Sequence, residues 1–281
     1  MKRMIRNTIW GMVAALAAMA VAPAALAEDG WEFTLGAGSI GANVYPGADE
    51  YYMTPFPLAG VSYTRGDLTY TVSILEGISV SYFSEENGIM ASMNASGGDT
   101  RDADGYEAFF VPYKHSRKTR TLLADSPRVS TPGYASASLG TLSPVGILGG
   151  SVGYHPTLVE PGGDSDTDLY HGILYSAQYI IGAPISERLS VMGVLSLGFM
   201  SKAYADAWYG VEEATAELSR YSADGGLRDA QLVLQVDYRF TDHFGASLLS
   251  ANTLLLGDAA QSPFTTQRFQ PSAVLYSYFT F

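Results

Sequence analysis

The stretch Asp229-Ala230-Gln231-Leu232-Val233-Leu234-Gln235-Val236-Asp237-Tyr238-Arg239-Phe240 decides the fold. Ala230, Leu232, Leu234, Val236, Tyr238 and Phe240 share one phase of a two-residue period. Asp229, Gln231, Gln235, Asp237 and Arg239 share the other, and Val233 is the only apolar residue out of phase. A strand sends successive side chains to opposite faces, so this segment has one continuous hydrocarbon face and one charged face. A transmembrane β-barrel uses that arrangement, with hydrocarbon toward lipid and polar groups toward the lumen.

The same period recurs on both sides. Leu68, Tyr70, Val72 and Ile74 alternate with Asp67, Thr69, Thr71 and Ser73; Leu189, Val191, Leu195, Leu197 and Phe199 alternate with Arg188, Ser190, Ser196 and Gly198. Fainter copies are Trp31 to Ile40, Pro55 to Thr64, Ile89 to Asn94, Tyr134 to Thr141, Leu169 to Ile181, Phe244 to Asn252 and Ser272 to Phe281. The expected fold is therefore all-β, a transmembrane antiparallel up-and-down barrel. The charged lumen-facing residues are expected to be Asp67, Arg188, Asp229, Asp237 and Arg239, which would line an aqueous pore or form a plug of ion pairs.

Strand number turns on one segment. Read as a single strand, Asp67 to Phe83 gives eleven, whereas single-chain bacterial barrels carry an even number. A break at Leu75-Glu76-Gly77 gives twelve, and Glu76 supplies the reason, because an unbroken strand would set its carboxylate on the lipid face between Ile74 and Ile78. Ten strands follow instead if the weak segments near Ile89 and Tyr134 lie outside the wall. Short connections (Thr64 to Asp67, Leu142 to Pro144, Ala183 to Arg188, Thr241 to His243) alternate with long ones (Asn43 to Thr54, Ser96 to Thr131, Pro156 to Asp168, Ser201 to Leu227, Gly257 to Gln270). Outer-membrane barrels keep tight turns on the periplasmic side, which would place both termini there.

The chain's start reads as a leader. Lys2, Arg3 and Arg6 precede an apolar run that ends in Ala25-Leu26-Ala27, so cleavage after Ala27 is expected, with one barrel domain from 28 to 281. Losing those three cations moves the formal charge from −12 to −15, which argues against nucleic acid as a partner. There is no cysteine, so neither disulfide nor thiolate chemistry is available, and no cofactor is implied. Past the leader no apolar run is long enough for a membrane helix. Thirty glycines and nineteen tyrosines suit bent strands and lipid–water girdles. Phe281 ends the chain two residues after Phe279, with Leu275 on the same face, a pattern similar to the signal read by the barrel-assembly machinery; Ser277 departs from it.

Three further clusters invite chemistry. Asp258 and Ser262, joined to a histidine, would form a hydrolytic set, but only His115, His155, His171 and His243 exist, and bonding of the pair to local backbone in a turn is the simpler expectation. His171 is expected on the outer face of its strand near a rim. Asp164, Asp166 and Asp168 could offer oxygens to Ca²⁺ but lack the glycine and distal glutamate of a helix–loop–helix site, so an acidic loop meeting lipopolysaccharide-bridging cations is expected. Lys114, His115, Arg117, Lys118 and Arg120 form the only basic cluster after the leader, in a loop that also carries Phe109, Phe110 and Tyr113. It is either a solvated loop or a grip for lipopolysaccharide phosphates or a partner protein.

Specific blocks carry a resemblance. Ala207-Trp208-Tyr209-Gly210-Val211, Gly225 to Asp229 and the run Leu254 to Pro263 resemble the MipA/OmpV family of outer-membrane proteins, most strongly through Leu256, Gly257, Asp258, Ala259, Ala260, Ser262 and Pro263. Asn43 to Tyr51 with Pro55 to Leu58, and the pair His171-Gly172, are similar to that family's first outer loop, second strand and a strand entry. The segment from Asp99 to Arg128 is longer and more irregular than the family's pattern. The resemblance implies an outer-membrane barrel without enzymatic activity. It also implies a scaffold that links a lytic murein transglycosylase to a peptidoglycan synthase, or else roles in adhesion, envelope stress or antibiotic susceptibility. A narrow diffusion channel is the alternative from the charged inward face, and an outer-membrane hydrolase the third.

Overall fold

A computed structural model describes residues 29–108, 111–160 and 167–281. The expected leader with Ala25 and Ala27, and most of the acidic loop with Asp164 and Asp166, lie outside the described residues.

Twelve strands form a closed antiparallel ring in chain order: β1 (Gly30–Asn43), β2 (Tyr51–Arg65), β3 (Leu68–Ser73), β4 (Gly77–Ser84), β5 (Ile89–Ser96), β10 (Tyr134–Ser143), β11 (Gly146–Glu160), β12 (Asp168–Pro184), β13 (Leu189–Met200), β14 (Gly226–Arg239), β15 (Phe244–Leu255) and β16 (Phe269–Thr280). β16 returns to β1 over Thr34↔Thr280 to Gly41↔Ala273 and closes the ring. The ten-stranded alternative fails because the segments near Ile89 and Tyr134 are both in the wall, paired over Tyr134↔Ser96 to Thr141↔Ile89. The break at Glu76 is real. β3 ends at Ser73, whose Oγ accepts from the Glu76 amide at 2.9 Å, and Gly77 starts β4 at φ +80°, where a side chain would be strained.

Outward positions follow the period read from the sequence. On β14, Leu232, Leu234, Val236 and Tyr238 are exposed, as are Leu195, Leu197 and Phe199 on β13. Around the end that carries the termini, Tyr238, Phe240, Phe244 and Phe279 form a chain of ring contacts 4.6–5.2 Å apart, and Trp31 meets Tyr63 at 4.8 Å. Aromatics at that height form one of the girdles by which barrels sit at a lipid–water boundary.

Several strands run further than the sequence suggests. β2 begins at Tyr51 and not Pro55, so the first long connection shrinks to 44–50, and β11 continues through Pro156 to Glu160. The span between β5 and β10 is structured as well. It holds β6 (Thr100–Arg101), the β7 (Tyr106–Ala108) and β8 (Val111–Tyr113) hairpin, helix α1 (Arg117–Leu123) and β9 (Arg128–Ser130). β9 pairs with β11 and β6 with β9, so these short pieces continue the wall above β10 and β5. Helices α2 (Lys202–Tyr209) and α3 (Gly257–Gln261) follow β13 and β15 at the loop end.

β3 and β4 are the exception in height. Six residues of strand, tilted about 40°, rise roughly 15 Å, whereas the apolar band of such barrels is about 25 Å tall. β2 has fifteen residues, paired throughout with β1 but with β3 only from Gly60 onward, so its upper half has no strand on the β3 side.

Candidate functional site

Inward-facing side chains determine whether a barrel can conduct. Ile147, Ile180, Val194, Val233 and Ala251 stand opposite one another on successive strands from β11 to β15, and Leu249, Val274 and Ile40 continue the row through β16 to β1. Val233 and Val274 are 0% exposed and Leu249 1%, so other inward side chains cover them completely. Phe56 from β2, Met90 from β5 and Leu75 from the β3–β4 turn are buried in the same cluster, with Tyr276 packed against it. Val233, out of phase as a lipid-facing residue, is thus a member of an apolar belt across the lumen.

Other inward positions, on β2, β3, β5 and β10 and on the belt's own β11 and β12, are hydroxylic. Ser92 bonds Ser138 at 2.7 Å, Ser151 bonds Ser176 at 2.7 Å, and Thr64 bonds Thr69 at 3.1 Å. The charged residues assigned to the lumen occupy different heights. Asp229 is buried and paired with Arg228, and both carboxylate oxygens of Asp237 accept from Tyr278 Oη at 2.9 Å. Arg188 and Arg239 are exposed at the terminal end, and Asp67 is exposed in the β2–β3 turn. Phe279 and Phe281 face outward beside β1, with Phe281 exchanging backbone hydrogen bonds with Phe33.

Over the other mouth the loops interlock. The Leu256–Pro263 block forms α3 and its exit: Asp258 Oδ2 accepts from the Asp224 and Gly225 amides at 2.6 and 3.1 Å, and Ser262 Oγ donates to the Tyr209 carbonyl at 2.7 Å. Tyr221 Oη reaches the Asp258 carbonyl, so the connections after β13 and β15 meet at this block. Asp258 and Ser262 bond to backbone, as a turn requires, but that backbone is distant in sequence. Trp208, Tyr204, Tyr209 and Ala259 pack beneath them as a second buried cluster. Replacing Asp258 with Ala leaves two amides without their acceptor and is expected to cost about 1–3 kcal/mol, read as a lower temperature for loss of the heat-modifiable gel form.

The remaining candidates disperse. His171 faces outward near the loop end, its Nδ1 2.6 Å from Tyr154 Oη, and His155 stacks on Tyr134 at 4.6 Å. Among the described residues no group of three or more His, Cys, Asp or Glu could hold a metal ion. Arg101, which the sequence did not single out, is 2% exposed, donates to the Trp208 carbonyl and lies 3.6 Å from the centroid of Phe264. No periodicity marks such a residue, because its role depends on loops far apart in the chain.

The basic cluster divides. His115 is buried, contrary to its grouping with exposed cations, whereas Lys114, Arg117, Lys118 and Arg120 are exposed. Glu50 holds the segment in place: it accepts from Tyr113 Oη at 2.7 Å, the Ser116 amide at 2.7 Å, Ser116 Oγ at 2.8 Å and Thr119 Oγ1, while Lys118 pairs with Asp49. Burial alone would raise the Glu50 pKa, but the hydrogen bonds from Thr119, Tyr113 and Ser116 outweigh it and hold the carboxyl below its usual range. A depressed pKa in the latched state means the latch gains stability above the unlatched pKa and loses it as pH falls through the latched one. Proteolysis of the 111–123 segment should therefore stay slow at neutral pH and accelerate only as pH falls through the lowered Glu50 value, below the usual carboxylate range. Glu50→Gln should raise the neutral-pH rate toward the acid one.

The sequence matches, over residues 35–281, the family profile described as MltA-interacting protein MipA. A comparison with curated proteins finds no match. Among solved structures the chain is similar to the translocator domain of the autotransporter NalP from Neisseria meningitidis, at 10% identity over 99% of each chain with a TM-score of 0.43. It is also similar to the NanC porin, at 8% identity over 88% of this chain and 98% of that one, TM-score 0.39. The Pseudomonas putida toluene transporter TodX is similar at 10% identity over 91% and 90%, TM-score 0.35.

Proposed function

The chain belongs to the MipA family, and on that premise we propose that it is a lumen-closed outer-membrane scaffold for peptidoglycan-remodelling enzymes. The observation that carries this reading is the apolar belt: with Val233, Leu249 and Val274 sealed inside the wall, the barrel's useful surfaces are its two rims. We take residues 1–27 as a leader cleaved after Ala27, and the final Phe279 and Phe281 as the residues offered to the barrel-assembly machinery. Tight turns at the terminal end and long loops at the other support an orientation with both termini in the periplasm.

In that orientation the periplasmic rim is acidic: Asp67, Glu85, Glu86, Glu187 and Asp242 lie in its turns against Arg65 and Arg188. The partners that the family description and the resemblance suggest are a murein transglycosylase and a peptidoglycan synthase. Capture from detergent-solubilised envelopes should enrich both over an unrelated barrel, and Glu85→Lys with Glu86→Lys should weaken the capture. Equal recovery on the unrelated barrel would remove the scaffold reading.

One observation favours a second reading. The hydroxyl-lined arc of Ser92, Ser138, Ser151 and Ser176 would suit a narrow route for small polar solutes, and single-channel recording separates this from a closed scaffold.

A further inference from the structure

The low stretch of wall above β3 and β4 stands beside the basic cluster of residues 114–120, and the two together make a two-part surface. In β2 the Ala59 carbonyl accepts from the Ile74 amide, so odd-numbered residues direct their backbone groups toward β3 and their side chains outward. Above Ala59 that edge therefore belongs to Pro57, Pro55, Met53 and Tyr51. Proline has no N–H to offer, so the two prolines blunt the edge against a further strand. The Tyr51 carbonyl is met by Tyr113 Oη at 3.2 Å, which brings the β8–α1 segment to the edge.

The recess is apolar. Met53 is 79% exposed, and Pro55, Pro57, Ile74 and Val111 are exposed as well. Its roof is cationic. α1 is tied to Asp49 and Glu50 at the top of β2, and Tyr51 lies about 30 Å along the barrel axis from the girdle residue Tyr63, close to a bilayer's apolar thickness. Arg117 and Arg120, three residues apart on α1, share a face. Neither they nor Lys114 form an ion pair among the described residues.

We propose that the β3–β4 notch with α1 is a binding site for a phosphorylated glycolipid of the outer leaflet, its phosphates on Lys114, Arg117 and Arg120 and an acyl chain against Met53, Pro55 and Pro57. The charge complementarity is specific to this place, because the protein is otherwise acidic, with a formal charge of −12. The cations stand at headgroup height while the bare edge of β2 faces the acyl region below them, and guanidinium groups meet phosphate through paired charge-assisted hydrogen bonds. The site rests on the orientation proposed above, with the long loops outside the cell.

The test uses the folded full-length barrel in mild detergent, with lipid retention read by native mass spectrometry. Bisphosphorylated lipid A should be retained, and Lys114→Gln/Arg117→Gln/Arg120→Gln should reduce retention at least about tenfold. Met53→Glu, which leaves the cations in place, should also lower it, and dephosphorylated lipid A or phosphatidylglycerol should bind the wild type no better than the triple variant binds lipid A. Retention by the triple variant equal to wild type, or equal retention of the dephosphorylated lipid, would overturn the site. Orientation is checked separately, since the chain has no cysteine: Arg117→Cys should react with an impermeant maleimide in intact cells, and reaction only after lysis would refute the orientation whatever the binding result.

Discussion

Gly36→Val is expected to prevent the barrel from closing. Gly36 faces inward on β1 opposite Tyr278, and an added Cβ would overlap the Ser277 carbonyl oxygen and reach 3.0 Å from the Tyr278 Cα. Those are backbone atoms of β16, so relief requires breaking the one ladder that joins the first strand to the last. Overpacking with no flexible neighbour to yield should cost at least about 3 kcal/mol. The fast-migrating folded form on an unheated gel should fall to a small fraction of wild type. Ala37→Val is the control: it adds similar bulk one residue away on the exposed outer face and should fold normally. A folded Gly36→Val barrel at wild-type yield would show that the β1–β16 seam is looser than described.

Phe56→Ala combined with Leu249→Ala should turn a silent barrel into a conducting one. Phe56 is 2% exposed and lies over Gly38, where an added Cβ would come within 2.8 Å of its ring; Leu249, three strands away in the same buried cluster, is 1% exposed. Removing both empties volume from the buried inward cluster and costs about 3–5 kcal/mol for the phenylalanine and 2–5 kcal/mol for the leucine. Discrete conductance steps in a planar bilayer, absent from wild type, together with a lower unfolding temperature, are the expected pair of results. Destabilisation without conductance would move the plug to the loop cap formed by α2 and α3.

Alternation was readable wherever a face was uniformly apolar, because lipid rewards the two-residue period on every turn of the wall. Glu76 was legible for the same reason, a charge that no lipid-facing strand position tolerates. The top of β2 was less so: alternation is visible from Pro55, but Tyr51 to Thr54 reads as part of the connection, and that the missing N–H groups of Pro55 and Pro57 lie on a bare edge is seen only once β3 stops at Ser73. Val233 was visible as an irregularity, but its meaning required Val194, Leu249 and Val274 on neighbouring strands, and a sequence does not state which inward residues share a height. At the loop end the Leu256–Pro263 block stood out by resemblance, whereas its bonding to Asp224, Gly225 and Tyr209 joins backbone thirty or more residues away. His115 shows the converse error, since adjacency to lysine and arginine suggests an exposed cation and the fold turns it inward.

The central claim is that the lumen is closed, and single-channel recording of the purified wild-type barrel tests it most directly. At several hundred millivolts in high salt the apolar belt predicts a flat baseline after insertion has been verified. Reproducible, discrete steps from the wild-type protein would contradict the belt as a seal and favour the diffusion channel.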